Sequence, residues 1–147
     1  MSATARDLYQ ELLVEHGRHP RNFGLLPSAN RSAEGSNPLC GDELVVRLRV
    51  RDGRIEEIAF QGQGCAVSIA SASMMTEAVK GLAAGEIEAL QQRVSALVSG
   101  AAEGSLGELS SLSGVSRFPT RVKCALLAWR ALDAAISGAP GTVSTEL

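Results

Sequence analysis

The chain has no run of about 18 apolar residues, the length that a membrane-spanning helix needs, so nothing in it is expected to cross a bilayer. It has no basic surplus either. Its formal net charge is −2, which argues against a general nucleic-acid binder. The N-terminal MSATARDLYQELL is amphipathic and carries Asp7 and Glu11, unlike a secretory or transit peptide. The expectation is a cytoplasmic protein, in a compartment where thiols stay reduced. Cysteine is scarce: three residues in 147, no two of them in a CxxC pair. An odd number of widely spaced cysteines makes no disulfide framework and points instead to metal binding or reactive thiols. Lysine is confined to Lys80 and Lys123, so nearly all the positive charge is arginine.

What is present fits one domain of ordinary composition, with 45% hydrophobic and 20% charged residues. Thr4 and Asp7 resemble a capping box, and Leu8, Leu12 and Leu13 follow at helical spacing, which predicts a helix over 4–16. Residues 20–40, rich in Pro, Asn, Ser and Gly, read as a loop. ELVVRLRVR (43–51) alternates, with Leu44, Val46, Leu48 and Val50 on one face and Arg47, Arg49 and Arg51 on the other. Asp52-Gly53 predicts a hairpin turn into RIEEIAFQG. There Ile55 is out of phase with Ile58 and Phe60, which suggests a bulge.

Three further helices are predicted. One covers 66–82, with small residues suited to close packing. The next carries Ile87, Leu90, Val94, Leu97 and Val98 on one face. The last opens at Pro119, with Val122, Leu126, Trp129, Asp133 and Ile136 on one stripe. A short helical turn is expected near 108–113, after a loose SGAAEGSLG segment (99–107). His16 and His19 read as helix-end or loop histidines. Segregated strands and helices make the class α+β: a small antiparallel sheet with helices packed on one face. The domain is placed at 1–138 and a flexible tail at 139–147.

The cysteines sit at element boundaries. Cys40 lies before the long strand, Cys65 at the start of the second helix and Cys124 in the first turns of the last. In an extended segment, residues two apart point the same way, so Cys40 and Asp42 can address one centre. The open N–H groups at a helix start favour negative charge at Cys65, and Arg121 shares a helical face with Cys124. Three thiolates and a carboxylate form a four-ligand set suited to zinc or to a small iron–sulfur cluster, and unsuited to calcium or magnesium. The alternative for each cysteine is simple core packing. A cysteine hydrolase is poorly served, since only His16 and His19 could act as base.

Four segments carry a resemblance: HPRNFG (19–24), NPLCGD (37–42), GQGCAVSIASASMMTE (62–77) and GVSRFPTRVKCALLAWRAL (114–132). Through them the chain resembles the NifU-like iron–sulfur cluster assembly proteins, most closely their SufU-type branch. The classical branch has histidine directly before its third cysteine, where this chain has Lys123. The resemblance implies a SufE/NifU-like fold with a three-stranded sheet, and zinc held by Cys40, Asp42, Cys65 and Cys124 (alternatively iron or a [2Fe-2S] cluster). It implies a SufS-type, pyridoxal-phosphate-dependent cysteine desulfurase as sulfur donor and an iron–sulfur assembly scaffold downstream. Sulfur would be accepted on Cys40, with Arg121 compensating charge. The other readings are a scaffold for a [2Fe-2S] cluster and a non-catalytic zinc domain that docks to a partner.

Overall fold

The alternation of apolar and arginine side chains over 43–51 has the period of a strand with one covered face. In the computed structural model, which describes residues 5–101, 106–138 and 142–144, this stretch is the central strand. The elements are α1 (Ala5–Arg18), β1 (Arg31–Asn37), β2 (Asp42–Arg51), β3 (Arg54–Gln63), α2 (Ala66–Val79) and α3 (Ala84–Val98). A tight helix of the 3-10 type (Gly107–Arg117), α4 (Pro119–Ser137) and β4 (Thr142–Ser144) complete the order. Strands β1, β2 and β3 form the expected three-stranded antiparallel sheet. The short β4 adds to the free edge of β1 in parallel, giving the order β3-β2-β1-β4.

Asp52 and Gly53 both take positive φ (53° and 75°), the two-residue turn that matches strand twist. The register slips between Arg49 and Val50, so the expected bulge is present. It lets Ile55 and Ile58 both face the core. On the outer face Glu56 approaches Arg49 (3.7 Å) and Arg51 (3.8 Å). Each such exposed pair contributes about 0.2–1 kcal/mol.

Strand β1 corrects the expectation of a loop over 20–40. RSAEGSN has no β-branched or aromatic residue, so it carries no strand signal of its own. It is a strand because it pairs residue for residue with β2, and because Ala33, Gly35 and Asn37 turn inward beneath α4. Gly35 permits that approach: a Cβ there would stand 3.0 Å from Leu127 Cδ1 and 3.4 Å from Ala131 Cβ. The preceding loop is anchored as well. Asn22 and Gly24 exchange backbone hydrogen bonds with Phe60, and the Phe23 ring stands edge-on to Phe60 at 5.2 Å. The outer edge of β3 is thereby covered at that point.

The helices pack on the face that carries Leu44, Val46, Leu48, Ile58 and Phe60, all buried. Helix α2 lies close to α4 through its small residues. Ser71 Oγ donates to the Ala125 carbonyl at 2.6 Å and accepts from Trp129 Nε1 at 3.1 Å. Trp129 is thus a core anchor with its one polar atom satisfied. The stripe expected on α4 is corrected. Val122, Leu126 and Ile136 are only half-buried and Asp133 is exposed, whereas Cys124, Ala128, Ala131 and Ala135 form the deeply buried side. Leu127 and Leu132 are buried on that side too, but they are interleaved with alanines whose weak hydropathy blurs its helical periodicity.

His16 occupies the last turn of α1 as expected, yet it is buried, and it joins three elements. Its Nδ1 lies 2.7 Å from Ser73 Oγ on α2, and its Nε2 lies 2.9 Å from Glu108 Oε2 on the tight helix. That helix is longer than the single turn expected near 108–113. Of the segments expected to be loose, 102–105 and most of 139–147 lie outside the described residues; 142–144 are the strand β4.

Replacing Gly35 with Val forces side-chain volume against Leu127 and Ala131. The expected outcome is a loss of about 1–3 kcal/mol of stability, read as a lower thermal midpoint.

Candidate metal centre

The hairpin joining β1 to β2 begins the site. Asn37 and Asp42 are the last paired residues of the two strands, and Pro38-Leu39-Cys40-Gly41 connects them. The Cys40 N–H donates to the Asn37 carbonyl at 3.2 Å, and Gly41 takes the left-handed conformation (φ 70°) that returns the chain to β2. Cys40 is therefore carried on a loop and is half-buried. Asp42, the first residue of β2, is fully buried.

Two other elements meet there. Cys65 is the N-cap residue of α2. Its backbone N–H donates to Asp42 Oδ1 at 2.8 Å, and its half-buried Sγ lies 3.9 Å from Asp42 Oδ2. Gly64 leaves room for this contact, since a Cβ there would stand 2.7 Å from Asp42 Oδ1 and 2.5 Å from Ser68 Oγ. Cys124, on the first turns of α4, is fully buried with its Sγ 3.5 Å from Cys40 Sγ. The donor atoms of Cys40, Asp42 and Cys124 all lie within 4.8 Å of one another, and Cys65 adjoins them through Asp42. The residues named from the sequence as ligands are thus neighbours, brought together from a hairpin loop, a strand start and two helix starts.

The electrostatics suit anions. The Arg121 guanidinium faces Cys65 and Cys124, and the charge of Cys65 followed by hydrogen bonds to both sulfurs raises its pKa above the ordinary arginine value. Burial, reinforced by Cys65, Asp42 and Cys40, pushes the Cys124 thiol well up. A neutral thiol is therefore favoured at Cys124 until a cation, or a charged hydrogen-bond donor, compensates it. The set of three sulfurs and one carboxylate oxygen has the chemistry of a four-coordinate site for a thiophilic ion, and the pocket that Gly64 leaves open is filled by the carboxylate itself.

Asn37 was not singled out as a functional residue from the sequence. Its fully buried amide places Nδ2 3.4 Å from Asp42 Oδ2 and 3.5 Å from Cys124 Sγ. Its pairing with Asp42 across the hairpin depends on a strand register that a loop reading of 20–40 does not disclose. The rim is apolar and basic: Leu39 and Phe118 are exposed beside Cys40 and Arg121. Phe118 and Arg121 also line a groove of about 880 Å³ with Tyr9, Leu13, Val67 and Val115. A second grouping, His16 with Glu77 and Glu108, has only nitrogen and oxygen donors and is already joined by the His16–Glu108 pair.

The chain is 34% identical over 143 residues to the zinc-dependent sulfurtransferase SufU of Bacillus subtilis, covering 95% of this chain and 97% of the relative. It is 41% identical over 132 residues to the iron-sulfur cluster assembly scaffold protein IscU of Streptococcus pyogenes, covering 88% and 82%. A crystal structure from Fervidobacterium islandicum AW-1, described as a scaffold candidate for iron-sulfur cluster assembly in the SUF system, superposes with a TM-score of 0.82. It is 28% identical, over 90% of this chain and 99% of that one. The NifU-like N terminal domain matches residues 8–144, and the chain belongs to that family.

Proposed function

We propose that this chain is a zinc-dependent sulfur acceptor of iron–sulfur cluster assembly, working in the cytoplasm. It takes persulfide sulfur from a pyridoxal-phosphate-dependent cysteine desulfurase and passes it to a downstream assembly scaffold. The observation that carries the reading is the contrast within one cluster: a loop-borne, half-buried Cys40 lies 3.5 Å from a fully buried Cys124. The similarity to the Bacillus subtilis sulfurtransferase along nearly the whole of both chains supports the same reading.

Zinc held by Cys40, Asp42, Cys65 and Cys124 would keep the thiols deprotonated at neutral pH. The residues divide the remaining work. Asp42, Cys65 and Cys124 are fixed by a strand start and two helices, whereas Cys40 rides on the Pro38–Gly41 loop and can turn outward at low cost. The Cys40 thiolate attacks the outer sulfur of the donor's persulfide. A new S–S bond forms at Cys40, the donor's own S–S bond breaks, and the donor cysteine leaves as a thiolate. Arg121, against Cys65 and Cys124, stabilises the negative charge that stays behind. The exposed Leu39 and Phe118 give the approaching donor an apolar rim that excludes water.

A second reading is favoured by the relatives named as scaffolds: the same four side chains could receive a [2Fe-2S] cluster as cargo. Anaerobically purified protein separates the two, being colourless with zinc and brown with a cluster. A docking domain with structural zinc would instead leave Cys40 inert to alkylation and the desulfurase rate unchanged.

Replacing Cys40 with Ser is expected to abolish stimulation of the desulfurase; unchanged stimulation removes Cys40 from this role. Replacing Asp42 with Ala is expected to weaken zinc binding by more than about tenfold, read by metal analysis after dialysis. The metal-free protein is expected to lose stability in alkali. In the unfolded chain the Cys124 thiol ionises near its ordinary value of 9.0, while the fold keeps it neutral. Its contribution is therefore full below that pH and declines as pH rises beyond it. Thermal midpoints at neutral and alkaline pH, compared with a Cys124→Ser variant lacking this decline, check the sign.

A further inference from the structure

Asn37 is a fully buried side chain with one unexplained atom. Its Oδ1 has no hydrogen-bond partner among the described residues, while its Nδ2 faces Asp42 Oδ2 and Cys124 Sγ. Buried amides are ordinarily satisfied at both ends, and one that is not calls for a reason.

The hairpin does not supply that reason. Asn37 takes part in the turn through its backbone, by pairing with Asp42 and by accepting the Cys40 N–H, and both interactions are open to other residues. Packing does not supply it either, because an apolar side chain of similar size would fill the same space without stranding the Asn37 oxygen, at the cost of one long contact to Asp42. What only the amide offers is a pair of hydrogens on one nitrogen, directed at two groups that are acceptors when ionised. Those groups come from different elements, Asp42 from β2 and Cys124 from α4. The 3.5 Å distance is ordinary for a sulfur acceptor, and the 3.4 Å distance to the carboxylate is long, so the contact can shorten. The opposite orientation would set Oδ1 against a carboxylate and a thiolate, a repulsive arrangement. The side chain is thus arranged for the ionised ligand pair.

We propose that Asn37 is a positioning residue of the metal centre, donating one amide hydrogen to Asp42 and one to Cys124. It thereby holds the strand-borne and helix-borne ligands in binding geometry, and this function retains an amide whose oxygen is stranded. The inference rests on the assignment of Asp42 and Cys124 as ligands under the proposed function. It predicts an unusual separation of effects: removing the amide should harm the metal site far more than the fold.

The test uses the full chain with Asn37→Leu, Asn37→Ala and Asn37→Ser, the last keeping a single donor. Zinc affinity is measured by competition with a chromophoric chelator, ligand geometry by the absorption bands of the cobalt(II)-loaded protein, and fold stability by thermal unfolding of the metal-free form. The expected result is at least a tenfold loss of zinc affinity in the Leu and Ala variants, with altered cobalt bands and an intermediate loss for Ser. The metal-free Leu variant should melt only slightly below the parent, because Asp42 Oδ2 loses one long contact but keeps the Cys65 thiol, and no amide oxygen is left stranded. Parental affinity and cobalt bands in all three variants would overturn the inference while leaving the ligand set standing. So would metal-free midpoints that fall in step with affinity, the mark of a merely structural residue. A parent chain that binds no zinc would remove the ligand assignment itself, and the inference with it.

Discussion

The buried carboxylate of Asp42 is the constraint on which the rest of the arrangement depends. A carboxylate fully out of water is expensive unless its oxygens are engaged, and here both are. One oxygen accepts the Cys65 N–H, which fixes the start of α2; the other faces the Asn37 amide and the Cys65 sulfur. Gly64 has no side chain because the carboxylate occupies that space. The junction of β3 with α2 and the hairpin between β1 and β2 are thus assembled around one charged group. Helix α4, lying over the small inward residues of β1, brings Cys124 to the same place.

The parts of the fold with strong local signals were legible in the sequence. The alternation of β2, the Asp52-Gly53 turn, the bulge announced by Ile55 and the Pro119 start of α4 all reflect local backbone and side-chain preferences, and all are present. Strand β1 was not legible, because RSAEGSN becomes a strand only through its partner β2 and its cover α4. The buried side of α4 escaped for a related reason: its Leu127 and Leu132 are interleaved with alanines, whose burial reflects close helix–sheet approach rather than their own hydrophobicity. His16 looked like an ordinary helix-end histidine because its partners, Ser73 and Glu108, are 57 and 92 residues away.

The centre shows the same division. The three cysteines and Asp42 could be nominated from their positions at element ends, and those ends do converge. Asn37 could not, since asparagine before proline in a loop is ordinary turn chemistry. Its place in the centre follows from a hairpin register that the sequence did not disclose. Seen as a whole, the site combines a rigid part, in which strand and helix starts hold Asp42, Cys65 and Cys124, with one cysteine on a loop. That combination suits a centre that must stay folded while a single thiol meets a partner.

The central claim is that three sulfurs and one carboxylate oxygen share a single cation. X-ray absorption at the zinc edge of the loaded protein tests it most directly. The account requires three sulfur neighbours at about 2.3 Å and one oxygen at about 2.0–2.2 Å, the oxygen contribution disappearing when Asp42 is replaced by Ala. A shell with fewer than three sulfurs, or one unchanged by that substitution, would contradict it.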